Sequence, residues 1–373
     1  MGEMRKFLVP WIDDVQVYST DDLVLVWADP EIGRMMLNEN PLGPSERVTK
    51  AVHEATRLGN RYPDNGPRLR GKIGKFYGLG PENVYLGNGS SEMIDNVMRL
   101  FVAPGDEVII PNPAFSLFKV RVTTAGGKPV LVDMKMTAEG GLQYDTEAML
   151  KAITSRTKVF IICTPNNPSG DFIPEEDLIR FLDTGIPVFI DEAYLEYHPE
   201  QPSNAPLIKQ YPDNAMVSHT MSKAFGMAGI RFGYLLASEQ MIGYLRKIQL
   251  PWSLGLLSLA AGEAAWDEKE EELRKKVEFN RHEIDYIWEE LSGIEGLHPF
   301  YSYGNYILVD PGDTGIKGKD VVDFVFQETK IMIKAYSLPG GRQGFRLSLG
   351  NQEQNRSCVG AIKKFFKTRS QTF

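Results

Sequence analysis

Cysteine is scarce in this chain. Cys163 and Cys358 are the two present among 373 residues. They cannot build a disulfide framework or a cysteine zinc site, and no metal centre is expected. Each reads as a small core residue. Positive charge is also short, with 41 Lys and Arg against 49 Asp and Glu, and no dense basic cluster. The net charge of −8 argues against a nucleic-acid backbone as partner. Long hydrophobic runs are missing too. Leu254–Ala265 is apolar but short and contains Glu263, so it reads as a buried helix, not a membrane span. The segment Met1–Pro10 has no apolar core of signal-peptide length, and the expected location is the cytoplasm.

What is present is an ordinary globular composition, 42% apolar and 24% charged. The length suggests one large and one small domain. Short apolar runs alternate with amphipathic stretches, the pattern of a largely parallel α/β sheet with flanking helices. Val84–Leu86 runs into Gly87-Asn-Gly-Ser-Ser91 and a helix from Glu92 to Phe101. Ser90 and Ser91 put free amides at that helix start, where N–H groups and the dipole bind phosphate. The turn is not a dinucleotide fingerprint, because no third glycine follows. A second strand, from Asp106, ends at Pro111-Asn-Pro113, with Phe115 just beyond. Phe115 alone reads more readily as core packing than as a ring stack. Lys158–Cys163 leads to Pro165-Asn-Asn-Pro168, and Pro187–Ile190 to Asp191-Glu-Ala-Tyr194. An aspartate there is commonly a helix cap, but a buried one can pair with a protonated ring nitrogen. In a parallel sheet such junctions lie along one edge, where ligands bind. One cleft is therefore expected, lined by Ser90, Ser91, Phe115, Asn167, Asp191, Tyr194 and Lys223.

Lys223 lies in His219-Thr-Met-Ser-Lys-Ala-Phe-Gly226, with neither a carboxylate nor a charged helix face beside it. A solvated loop lysine is one reading. The other is a buried amine that loses its charge or condenses with a carbonyl. Thr220, Ser222 and Arg231 can then hold an anion beside it. Elsewhere, Leu37–Ser45 forms a turn whose Ser45 caps the next helix. Asn60–Pro67 is a stiff loop carrying Tyr62, and residues 68–78 form a helix with Leu69, Ile73 and Phe76 on one face. Trp11, Val15, Val17 and Tyr18 are candidates to cover another surface. Beyond Asp267 a long helix follows, with Leu273, Val277, Ile284 and Ile287 as its apolar stripe. Asn305–Asp310, Ile331–Ala335 and Gly344–Gly350 read as strands, with Val321–Glu328 and residues 353–367 as helices. Arg346 stands mid-strand among apolar residues, where a guanidinium needs an anion. The expected division is a large domain over 46–266 and a small one from 1–45 and 267–373.

Taken together, Leu37–Ser45, Arg61-Tyr-Pro-Asp64, Gly87–Glu92, Pro165–Gly170, Asp191–Tyr194, Thr220–Phe225 and Gly229-Ile-Arg231 resemble the fold type I pyridoxal-phosphate enzymes. Within that group the chain is most similar to the histidinol-phosphate aminotransferase family. The resemblance implies pyridoxal 5′-phosphate as cofactor and a transamination between an amino donor and a keto acid. It implies that Lys223 binds the cofactor's aldehyde carbon and shuttles a proton, while Asp191 pairs with the ring nitrogen. Tyr194 and Asn167 would bond the ring 3-oxygen, with Phe115 stacked on the ring. Ser90, Ser91, Thr220, Ser222 and Arg231 would hold the phosphate. Tyr62 would reach that phosphate from the other subunit of a homodimer. Arg346 would bind a substrate carboxylate or phosphate, and Asn40 would lie near the substrate. Where the family usually has a phosphate-gripping arginine, this chain has Lys334. A lyase resembling threonine-phosphate decarboxylases, suggested by Pro251-Trp-Ser253, an aromatic amino acid aminotransferase and a non-catalytic binding protein remain alternatives.

Overall fold

In a computed structural model, which describes residues 4–18, 20–137, 140–312 and 314–370, the short apolar runs assemble into one seven-stranded sheet. The first three residues of the expected N-terminal arm lie outside the described residues. The strand order is Val84–Gly87, Gly233–Leu236, Ala215–Thr220, Val188–Asp191, Thr157–Cys163, Glu107–Asn112 and Lys128–Asp133. Every neighbouring pair is parallel except those made by Gly233–Leu236, which is antiparallel to both its neighbours. Both faces are apolar. Val108, Ile161, Phe189 and Met216 pack under helix Ser90–Phe101, and Ile109, Ile162, Ile190 and Val217 fill the opposite face. Burial on two sides is why these strands read as unbroken hydrophobic runs. Their register sets Cys163, Asp191 and Ser218 in a row at the C-terminal ends.

Two strands of this sheet were not anticipated. Lys128–Asp133 is a partly exposed edge strand containing Pro129, which weakens its pattern. Gly233–Leu236 is only four residues and follows directly on the lysine stretch.

The smaller unit is a four-stranded antiparallel sheet of His298–Pro299, Tyr306–Asp310, Gln343–Ser348 and Lys334–Ser337. Helices Lys269–Ser292, Gly318–Thr329 and Gln352–Ser370 cover it, and Ile284, Ile287, Val321, Phe345 and Ile362 share its core. The stripe Leu273, Val277, Ile284 and Ile287 is buried as expected. The expected strand Ile331–Ala335 is split. Ile331–Met332 pairs in parallel with Gly33–Arg34, and Lys334–Ser337 joins the small sheet. The break admits the N-terminal segment. Met35 enters the small core, while Met36 packs with Val26 and Met332. Residues 37–39 are thereby delivered between the two sheets.

Two packing expectations change. Val17 is fully exposed, and the covering residue is Trp11, which donates from Nε1 to the Thr124 carbonyl at 3.1 Å and lies over Gly126. Leu69 and Ile73 are buried, but Phe76 is the last residue of helix Pro67–Phe76 and stays exposed. Trp266 meets its ring edge-on, and the Lys269 ammonium sits over it.

The loop after Lys223 is held against the 37–45 turn by close backbone approach. Gly226 has φ +71°, and a Cβ there would lie 2.2 Å from the Gly43 carbonyl oxygen. Gly226→Ala is expected to cost at least about 1–2 kcal/mol from the left-handed backbone alone, with more from the overlap. A urea titration of folded chain checks this, and an unchanged midpoint contradicts it.

Candidate active site

The strand ends and the small sheet enclose a cavity of about 430 Å³. Its floor is the end of strand Val188–Asp191. Asp191 is 2% exposed, and its Oδ1 has no hydrogen-bond partner among the described residues. Burial lifts its carboxyl to about 7, against the opposing pull of His219 and Lys223. Lys223 enters from the loop after strand Ala215–Thr220. Its amine donates to the Leu37 and Asn38 carbonyls at 3.1 and 3.2 Å. Desolvation lowers that amine to about 8, Arg346 pushes the same way and Glu39 opposes. A cavity-lining amine that loses its proton near neutrality is a nucleophile and a base.

One end of the cavity is built for an anion. Helix Ser90–Phe101 starts two residues earlier than expected, so Ser90 and Ser91 form its first turn. Gly89 holds φ +74°, and a Cβ there would meet the Arg231 guanidinium at 2.7 Å. That guanidinium donates to the Asn88 carbonyl at 3.0 Å, the Ser222 hydroxyl at 3.2 Å and the Ala228 carbonyl at 2.9 Å. Thr220 Oγ1 bonds Ser222 Oγ at 2.9 Å. Two hydroxyls, a helix N-terminus and a guanidinium with no carboxylate on it among the described residues therefore converge on one spot.

At the other end a polar relay joins the two sheets. Arg346 is buried, and Nη1 donates to Asn167 Oδ1 at 2.7 Å and to the Tyr336 hydroxyl at 2.8 Å. Nη2 donates to the Met36 carbonyl at 2.7 Å, and Nε has no partner among the described residues. The Asn167 and Asn38 amides both donate to the Tyr194 hydroxyl, at 3.1 and 2.9 Å. With its oxygen accepting twice, that phenol keeps its own proton for an acceptor in the cavity. Ser348 Oγ donates to Asn38 Oδ1 at 2.7 Å. Lys334 lines the cavity from the strand position registered with Arg346. Phe115 forms a wall, edge-on to Tyr18.

One expected residue lies elsewhere. Asn40 donates to the Ala224 carbonyl at 3.1 Å and to the Tyr197 hydroxyl at 3.4 Å, and does not line the cavity. Asn38 and Glu39 of the same turn do. The expected turn lies against the cavity, but its two asparagines point different ways, and sequence does not say which faces in. Tyr62 is 76% exposed and stacks on Trp252 at 4.5 Å, outside its own chain's cavity. Tyr18, Ser116 and Tyr336 were not anticipated as lining residues. The one signal was an aromatic, Tyr18, in a segment expected to cover a surface.

The sequence pattern of the family described as aminotransferase class I and II matches residues 34–362. The chain belongs to this family. A curated relative, histidinol-phosphate aminotransferase 1 of Idiomarina loihiensis, is 36% identical over 89% of each chain. The histidinol-phosphate aminotransferase of Methanosarcina mazei is 34% identical over 96% of each. The crystal structure of the Sinorhizobium meliloti histidinol-phosphate aminotransferase in complex with pyridoxal-5′-phosphate shares the fold, with a TM-score of 0.86 at 23% identity over 97% of this chain and 98% of that one.

For an aminotransferase, Asp191 carries a cost. Its raised pKa means that the folded, ligand-free chain is penalised as pH climbs from about 4 to 7, and fully so above 7. Asp191→Asn is therefore expected to stabilise the ligand-free protein at pH 8 by up to about 4 kcal/mol. The gain should shrink to nothing as pH falls towards 4. Denaturant midpoints of the two proteins across that range check it, and a destabilised Asn variant at pH 8 contradicts it.

Proposed function

We propose that this aminotransferase uses pyridoxal 5′-phosphate to move an amino group between histidinol phosphate and 2-oxoglutarate. The products are imidazole acetol phosphate and glutamate, a step of histidine biosynthesis. The observation that carries the reading is the unpartnered buried oxygen of Asp191, in one cavity with a desolvated lysine and an anion cradle. A protonated ring nitrogen supplies the cation that this carboxylate lacks, and the cradle of Ser90, Ser91, Thr220, Ser222 and Arg231 suits the cofactor phosphate. The substrate follows from the curated relatives above, similar over most of their length.

When bound, the cofactor supplies an electron sink for negative charge on the substrate carbon next to nitrogen. The chain's residues do the rest. Asp191 keeps the ring nitrogen protonated. Tyr194 and Asn167 would hold the ring oxygen by hydrogen bonds, and Phe115 would cover the ring face. Lys223 would take the proton from the substrate carbon bearing the amino group and deliver it to the carbon on the far side of that nitrogen, a 1,3-shift. Arg346 takes the substrate carboxylate or phosphate, with Lys334 as a second cation beside it. Lysine keeps the charge there without the two-pronged geometry of arginine.

The lyase alternative suggested by Pro251-Trp-Ser253 is not favoured by the curated relatives above, which are named as histidinol-phosphate aminotransferases. An exposed apolar surface suggests a homodimer. Tyr62, Trp252 and Leu250 are exposed together, and Tyr62 on its stiff loop is suited to enter the second copy's cavity and reach the phosphate. We assign 46–266 to the cofactor-binding domain and 1–45 with 267–373 to the smaller one. No helix of the described residues is long and apolar enough to cross a membrane, which accords with a cytoplasmic enzyme.

The assay is glutamate formation from histidinol phosphate and 2-oxoglutarate by the cofactor-loaded protein. Lys223→Ala is expected to stay folded, bind the cofactor weakly and not turn over, and full activity in that variant overturns the mechanism. Lys334→Ala is expected to raise KM for histidinol phosphate about 10–100-fold, the loss of one charge-assisted contact. KM for glutamate in the reverse direction should move far less, and equal effects on both contradict a phosphate-directed role.

A further inference from the structure

Behind the cavity floor lies a charge cluster that the reaction does not use directly. His219 is fully buried on strand Ala215–Thr220, four residues before Lys223, and does not line the cavity. Its Nδ1 lies 3.1 Å from Glu196 Oε1 in hydrogen-bonding geometry. Its Nε2 lies 3.1 Å from Glu192 Oε2, off the line of the N–H, as an ion-pair contact and not an aligned bond. A neutral imidazole has one N–H, and ionised carboxylates only accept. Carboxylates on both ring nitrogens therefore select the imidazolium. The ring is stacked on Tyr234 at 4.9 Å and tilted towards Tyr77 at 5.3 Å, faces that favour a cation.

The two glutamates are not independent of the site. Glu192 follows Asp191 directly and Glu196 lies two residues after Tyr194. Glu192 is also anchored by Ser203 Oγ at 2.5 Å and by the backbone and side-chain nitrogens of Asn204, each at 2.7 Å. Its backbone N–H donates to the Ser218 carbonyl at 2.8 Å. We infer that His219 is a positioning residue that clamps the Asp191–Tyr194 turn at both ends to the lysine-bearing strand, and supplies the buried cation that keeps Asp191 ionised. This rests on the cofactor-site reading above.

The charges around the cluster agree. Burial pulls the imidazole down, but Glu192 and Glu196 overcome it and hold the ring up at about 9. At Asp191, burial raises the carboxyl and His219 is the largest opposing pull. The other titratable groups facing the ring are Tyr77 and Tyr234, which burial keeps protonated. Lys269, from the long helix, acts on Glu196 from outside.

The test compares the native protein with His219→Gln and His219→Arg, where arginine keeps a permanent cation able to reach two carboxylates. Side-chain nitrogen NMR of the cofactor-free native protein, with loss of the signal in the Gln or the Arg variant identifying it, is expected to show His219 as imidazolium at pH 8. In the loaded enzymes, the Gln variant is expected to lose about tenfold or more in kcat, and the acid limb of its kcat/KM profile should move to higher pH. The Arg variant should restore both. A neutral His219 at pH 8, or a Gln variant whose profile overlays the native one, overturns the proposal. Should the Gln variant not fold, the NMR state of native His219 and the pH profile of the Arg variant decide: a neutral ring, or an Arg profile shifted upward, overturns it. Failure of the cofactor reading looks different, because the native protein would then show no visible cofactor band.

Discussion

A carboxylate buried at the end of a central strand has to be compensated, and the arrangement around Asp191 follows from that constraint. Water is excluded by the sheet on one side and by helix Ser90–Phe101 with its apolar face on the other. Lys223 and His219 supply positive charge nearby but make no bond to the free oxygen. The remaining attraction is left for a ligand. A group that costs stability without its ligand and is satisfied with it stores binding energy at one atom, where it fixes a ring's protonation state.

The same logic extends along the cavity. Among the described residues Arg231 closes the cradle end with no carboxylate partner, and Arg346 closes the other end in the same condition. Two guanidiniums, Arg346 buried and Arg231 half-buried, with only neutral acceptors among the described residues suit two anions held at opposite ends of one ligand pair. Asn167, Tyr194 and Asn38 extend from Arg346 as one hydrogen-bonded chain, and they come from three separate segments, one of them N-terminal to the large sheet. The site therefore exists only when both sheets are assembled and residues 37–39 thread between them. Met35 and Met36, packed into the small unit, set that path.

Much of this was legible before any coordinates. Strand ends in a parallel sheet share an edge, so Ser90, Phe115, Asn167, Asp191 and Lys223 could be gathered from their positions after apolar runs. Arg346 was legible because a guanidinium in an apolar strand needs an anion. What was not legible depends on orientation or on distant pairing. Asn38 and Asn40 occupy one turn and have the same chemistry, and only the folded backbone, left-handed at Asn38, shows which one reaches Tyr194. The split at Ile333 depends on pairing with Gly33–Arg34, some three hundred residues away in sequence. His219 looked like part of the lysine motif. Its partners, Glu192 and Glu196, are identified only by the register of two neighbouring strands.

The central claim is that this cavity accepts an amino group from histidinol phosphate and holds it until a keto acid arrives. A single-turnover spectrum tests it most directly. The protein is loaded with pyridoxal phosphate, freed of excess, and mixed with L-histidinol phosphate in the absence of any keto acid. The account predicts loss of the visible cofactor band, one equivalent of ketone per site, and return of the band on adding 2-oxoglutarate. A band that persists, or one that bleaches with release of carbon dioxide and no ketone, contradicts it.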